Sequence, residues 1–203
     1  MDASGGGAPG PAGAPGRFFL PGPTEVRPEI LAAQARPMIA HRGADFVALM
    51  EDIQPGLRDV FRTTRPVVVS TSSATGLMEA AVRNSGTGPV LSLVNGAFSQ
   101  RFAEIAVACR REVDRMEVGW GAVHDPEAVR RALRARDYDA VTVVHSETST
   151  GALNPVEDIA RVVQEREGPL LLVDSVTGVG GAELHTDAWG LDFVLTGSHK
   201  ALA

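Results

Sequence analysis

Short, nearly continuous apolar runs separated by amphipathic segments constrain this chain more than any other feature. They are "PVVVST" (66–71), "PVLSLVN" (89–95), "DAVTVVH" (139–145), "PLLLVDS" (169–175) and "LDFVLTG" (191–197). A strand with one face in water alternates apolar and polar residues. A strand covered on both faces has no such need, so these runs predict parallel strands packed between helices. "REVDRMEV" (111–118) alternates more and predicts a partly exposed strand.

The segments between the runs carry helical spacing. Phe98, Phe102, Ile105 and Cys109 fall on one face, and Val156, Ile159, Ala160 and Val163 on another. Asn154, Pro155 and Glu157 predict an N-cap, a first-turn proline and a first-turn acid, and Asp125-Pro126-Glu127 repeats the signal ahead of Val129 and Leu133. Strand and helix alternating at this spacing make an α/β domain from residue 66 to residue 203. Residues 17–65 form an N-terminal segment with helices. Within it, "ADFVALMEDIQPGLRDVFRT" (44–63) predicts one long helix or two short ones, with Pro55 kinking the first or starting the second. The opening "MDASGGGAPGPAGAPG" (1–16) predicts a disordered Gly/Ala/Pro tail.

Bulk properties exclude several functions. The net charge is −6 with arginines scattered along the chain, which leaves no nucleic-acid footprint. No run approaches the roughly 18 apolar residues of a membrane span, and the N-terminus lacks the basic start and apolar core of a signal peptide. A single cysteine, Cys109, permits no intramolecular disulfide and suits a reducing cytoplasm. Its helical spacing makes it a small core residue rather than a nucleophile. The five histidines lack metal-ligand spacing, so no metal is expected.

Open α/β sheets bind ligands beyond the carboxyl ends of their strands. After the first run comes Ser72-Ser73-Ala74-Thr75-Gly76, whose small residues before a helix leave amides and hydroxyls for a phosphate. After the second comes Phe98, able to lie on a flat ligand, and after the third come Ser146, Glu147 and Thr148. Asp174 ends the fourth, and Lys200 follows the fifth. Taken singly, each has an ordinary structural reading: a capped turn, a core ring, a self-satisfied loop, a capping acid, a surface lysine. Taken together, a phosphate-ready turn, an aromatic, an acid and a lysine at one sheet edge match what pyridoxal phosphate requires. Amides hold its phosphate, a ring covers its pyridine, a carboxylate keeps the ring nitrogen protonated, and a lysine forms the Schiff base.

The pieces "LPGPTEVRPEILAAQARPMIAHRGADF", "SSATGLMEAAVRN", "NGAFSQRF", "HSETSTGALNP", "LLVDSVTGVGGAEL" and "GSHKALA" stand in one order between Phe19 and Ala203. In that order the chain resembles class V aminotransferases, a branch of the fold-type I pyridoxal-phosphate enzymes, and is most similar to the alanine–glyoxylate and serine–pyruvate group. The resemblance implies a mostly parallel sheet with helices on both faces, as in the family's large domain, here incomplete at its C-terminus and lacking the C-terminal domain. It assigns Lys200 as the Schiff-base and proton-shuttling residue, and Asp174 as the partner of the pyridine nitrogen. Val176 and Phe98 take the two ring faces, and Thr148 the phenolic oxygen. Ser73, Ala74 and Thr75 take the phosphate, with His199 beside it, and Gly22 in "GPT" lies near the substrate. Ala74 stands where the family commonly has Gly, and His199 where it often has Gln. The pair His41-Arg42 also recurs.

The implied function is transfer of an amino group from a small amino acid, of alanine or serine type, to a 2-oxo acid such as glyoxylate or pyruvate. The expected setting is a full-length cytoplasmic homodimer with no nucleic-acid or membrane partner. At 203 residues the chain is expected to be inactive alone. The alternatives are a phosphonate-directed aminotransferase, a lyase, or a non-catalytic remnant. A cysteine desulfurase is disfavoured by the placement of Cys109. No G-x-G-x-x-G or G-K-[ST] stands at the first turn to support nucleotide binding.

Overall fold

The computed structural model describes residues 20–202; the tail expected at 1–16 lies outside them. Two N-terminal helices, α1 (Pro28–Gln34) and α2 (Ala44–Phe61), precede α3 (Ala74–Arg83). There follow β1 (Val90–Val94), α4 (Ala97–Ala108), β2 (Val113–Glu117), α5 (Pro126–Ala135) and β3 (Ala140–Val144). A small ribbon of β4 (Ser146–Glu147) and β5 (Ala152–Leu153) leads to α6 (Val156–Gln164), β6 (Leu170–Asp174) and β7 (Phe193–Leu195). The main sheet has the order β2-β1-β3-β6-β7, with every pairing parallel.

Alternate residues of each central strand feed two cores. Leu91, Leu93, Val141, Val143, Leu171 and Val173 pack with Val129 and Leu133 of α5 and with Ile159 and Val163 of α6. Their neighbours Val90, Ala140 and Leu172 pack with Met78 and Val82 of α3 and Phe102 of α4. The sheet is thus covered on both faces, which is why its strands read as unbroken apolar runs. Ser92 and Thr142 are buried on the α4 face, and the Thr142 hydroxyl donates to Ser92 Oγ at 3.0 Å, which satisfies both. The strand expected at 111–118 is β2, on the sheet edge and only partly buried.

Three local expectations are corrected. Residues 66–71 form no strand: Val67 is half-buried, while Val68 and Val69 are 86% and 54% exposed. Extended backbone becomes a strand only beside a neighbour, and here the Gln54 amide takes that place. It donates to Val67 O at 2.8 Å and accepts from Val67 N–H at 3.0 Å. Pro55 neither ends nor restarts a helix, because α2 runs unbroken through it. Glu51, four residues back, whose carbonyl Pro55 leaves without its helical donor, is an exposed residue.

Asn154 is not an N-cap, since Pro155 takes that position without a side-chain bond. The Asn154 amide instead donates to Val144 O at 2.8 Å and accepts from His124 N–H at 3.1 Å, tying two buried loops to the end of β3. Cys109 packs against the core as expected but is only half-buried, as the C-cap of α4. The cap expected at Asp125 is present, accepting from Glu127 N–H at 3.0 Å.

Candidate active site

The carboxyl ends of the sheet open into a cavity of about 210 Å³. Ser73, Ala74 and Thr75 line it from the start of α3, and Phe98 from the start of α4. Thr148, Asp174 and Val176 line its floor, while His199 and Lys200 close it from the loop after β7. The structure therefore brings all nine residues expected to contact a cofactor to one cavity. Gly22 stands outside this wall, against the Lys200 side chain.

Asp174 is the most consequential of them. It ends β6, between β3 and β7, and is 2% exposed. His145 N–H bonds to its carbonyl at 2.8 Å and the following Ser175 N–H to Leu195 O at 2.9 Å, so its backbone is fixed from both sides. Its Oδ1 accepts from Val176 N–H at 2.9 Å. It forms no ion pair among the described residues, and burial pushes its carboxyl up to about 6, with Glu147 adding to the rise while Val176 N–H and Lys200 oppose it. A carboxylate in that setting is stabilised by a nearby cation or a further N–H donor.

Phe98 owes its place to Glu147. That carboxylate is fully buried and sits on the N-terminus of α4. It accepts from Ser99 N–H at 2.9 Å, Phe98 N–H at 3.3 Å, Ser99 Oγ at 2.9 Å and Ser149 Oγ at 2.7 Å. Burial pushes the Glu147 carboxyl up, but the donors of Ser149, Ser99 and Phe98 outweigh it and hold the group below its ordinary range. Helix N-termini favour such a charge. Gly96 must be glycine for this contact, because a Cβ there would stand 2.4 Å from Glu147 Cγ. Glu147→Ala is expected to destabilise the protein by about 3 kcal/mol, since it leaves buried N–H groups without an acceptor. The midpoint of urea unfolding measures this.

The phosphate-ready turn is partly committed to its own helix. Ser73 Oγ caps α3 by accepting from Gly76 N–H at 3.1 Å, while Ala74 and Thr75 form the helix start at the cavity wall. Thr148 Oγ1 pairs with Thr177 Oγ1 at 3.2 Å, and the Thr177 hydroxyl donates to Ser146 O at 3.0 Å. Thr177 and Arg101 both line the cavity and are not among the residues expected from sequence. The Arg101 guanidinium stands 5.3 Å from the Phe98 ring centroid. Its position three residues after Phe98 on one helix was the available signal. Lys200 is the only lysine in the sequence, among 19 basic residues.

Residues 28–203 match the family model for class V aminotransferases. The chain belongs to the class V aminotransferase family. An uncharacterized aminotransferase of Methanocaldococcus jannaschii is 43% identical over 189 residues, covering 92% of this chain and 49% of that protein. The serine–glyoxylate aminotransferase of Methylorubrum extorquens is 32% identical over 197 residues, covering 93% and 49%. Among solved structures, the alanine–glyoxylate aminotransferase of Nostoc sp. superposes with a TM-score of 0.84 at 36% identity, covering 88% of this chain and 48% of that one. The class V chain described here thus spans about half the length of the curated relatives it matches. Its sheet and helix layers are those of the fold-type I aminotransferases.

Proposed function

We propose that this chain carries the pyridoxal-phosphate site of an aminotransferase that moves an amino group from a small amino acid to a 2-oxo acid. The observation that carries the reading is Asp174, a buried carboxylate without an ion-pair partner among the described residues, in the same cavity as Lys200. Its unmet need for a cation is what a protonated pyridine nitrogen supplies. The cofactor, when bound, contributes a conjugated ring that accepts the electrons of a substrate carbanion.

The chain's residues divide the remaining work. Asp174 holds the ring nitrogen in its protonated form, and Phe98 and Val176 cover the two ring faces. The first amides of α3, at Ala74 and Thr75, would meet the phosphate, and Thr148, held by Thr177, would stand at the phenolic oxygen. Lys200 Nζ would hold the cofactor and, once freed, would take the α-proton of the amino-acid substrate. Ala74 in place of glycine is compatible with this arrangement, because backbone N–H groups rather than side chains meet the phosphate.

Glyoxylate as acceptor is supported by its place in the names of relatives that use alanine or serine as donor. The homodimer is supported by exposed apolar residues on α2, among them Val47 and Leu49. Incubation with pyridoxal phosphate, reduction with borohydride and peptide mapping test the site. A reduced adduct on Lys200 supports the reading, and a folded protein with no adduct overturns it in favour of a non-catalytic remnant.

A further inference from the structure

The segment 21–24 lies against the lysine loop and is bonded to it at three points. Lys200 Nζ donates to Pro21 O at 2.9 Å, Thr24 N–H to His199 O at 3.1 Å, and Thr24 Oγ1 to Lys200 O at 2.8 Å. Between these bonds sits Gly22, at φ +134°, where a Cβ would stand 2.5 Å from Lys200 Cδ and 2.6 Å from Nζ. That backbone conformation is strained for any residue with a Cβ, and a Cβ there would displace the Lys200 side chain.

We propose that residues 21–24 form a positioning strap for Lys200, in which Thr24 and Gly22 set where the ε-amino group stands. The inference rests on reading Lys200 as the amine that binds the cofactor. A lysine side chain turns about several bonds and loses much rotamer entropy when held in one place. Lys200 is half-buried on an irregular loop after β7, and no regular element fixes it from its own side. The strap supplies the missing constraint at both ends of the side chain. Thr24 Oγ1 fixes the backbone carbonyl from which the chain springs, and Pro21 O seats the terminal nitrogen. A valine at position 24 keeps the N–H bond to His199 O and the branched shape but loses the hydroxyl bond to Lys200 itself.

The test needs no catalysis, and the single lysine makes it unambiguous. Protein without cofactor is treated with a limiting amount of a neutral acylating reagent, and modification of Lys200 is followed by mass spectrometry, with the N-terminal amine as internal control. Thr24→Val is expected to speed Lys200 modification about fivefold, the factor carried by one hydrogen bond of ordinary net strength. Gly22→Ala is expected to speed it at least as much, and Thr24→Ser to return it to the parent rate. Parent rates in both Thr24→Val and Gly22→Ala, or a Thr24→Ser rate matching Thr24→Val, would overturn the strap. A parallel incubation with pyridoxal phosphate and borohydride separates the two claims. Strap-dependent acylation without a cofactor adduct sinks the cofactor reading alone, and an adduct with strap-independent acylation sinks the strap alone.

Discussion

Lys200→Ala is expected to abolish covalent capture of pyridoxal phosphate and to lower transamination by about 10²–10⁴-fold, the usual share of a positioned proton-transfer group. Capture on a lysine is lost because no other lysine exists in this sequence, which leaves only the N-terminal amine to react. Lys200→Arg separates the two roles that charge and nucleophilicity could play. A guanidinium keeps the positive charge near Asp174 and can still donate to Pro21 O, but it does not lose its proton and forms no Schiff base. It is therefore expected to resemble Lys200→Ala in the borohydride experiment while retaining more of the loop's order. The measurements are intact mass after reduction and single-turnover rates with an amino-acid donor on the full-length enzyme. Turnover within tenfold of the parent in Lys200→Ala would remove the residue from the chemistry.

Asp174→Asn is expected to act in opposite directions on the unloaded and loaded protein. The carboxyl is raised from its ordinary 3.8 to about 6 by burial, so the folded state holds the proton more tightly than the unfolded chain does. Stability from this group is full below about pH 4, falls as pH rises toward about 6, and stays reduced above it. A shift of that size costs the folded protein about 3 kcal/mol at neutral pH. The asparagine variant removes the titration. It is expected to flatten the stability curve between about pH 4 and pH 6 and to raise stability at neutral pH by an amount of that order. Urea unfolding across that range, without cofactor, measures both.

With cofactor the same substitution weakens binding. On the proposed reading, a protonated ring nitrogen would relieve the buried carboxylate of the parent, so part of the penalty would be returned on loading. Asparagine forfeits that return, and cofactor affinity is expected to fall by about 100-fold, the equivalent of roughly 3 kcal/mol. Turnover of the loaded variant is expected to fall by a further 10²–10³-fold or so, because a neutral amide holds the ring nitrogen's proton poorly. Equal cofactor affinity in both forms would show that Asp174 does not meet the ring nitrogen.

The functional face of the molecule was more legible in sequence than its scaffold details. Asp174 at the end of a run of buried residues and Lys200 behind Gly197 and Ser198 have ordinary readings singly, and they became legible only together with the turn at 73–75 and Phe98 at one sheet edge. The parallel sheet was legible for a related reason: the unbroken runs at 89–95, 139–145 and 169–175 leave no polar face for water. The two cores of the structure are the direct consequence.

The misses have one origin. Residues 66–71 have a strand's composition, yet a strand also needs a neighbour, and Gln54 rather than another strand meets Val67. Asn154 has the cap's chemistry, but the unpaired carbonyl of Val144 lies within its reach and claims it. Thr177 belongs to the cavity through packing between elements that no local pattern reports, whereas Arg101 follows Phe98 by three residues on α4.

By itself the sequence determined the α/β class, the strands that could be buried on both faces, and the residue types able to hold pyridoxal phosphate. These follow from hydrophobic periodicity and from the cost of a charge at an apolar strand end, which are local properties. Tertiary structure alone decided that Glu147 anchors the start of α4 and with it Phe98, that Asp174 has no ion-pair partner among the described residues, and that residues 21–24 reach Lys200. The Pro21–Lys200 contact joins positions 179 apart. Whether two such groups meet depends on how the intervening layers pack, and no short-range pattern encodes that distance.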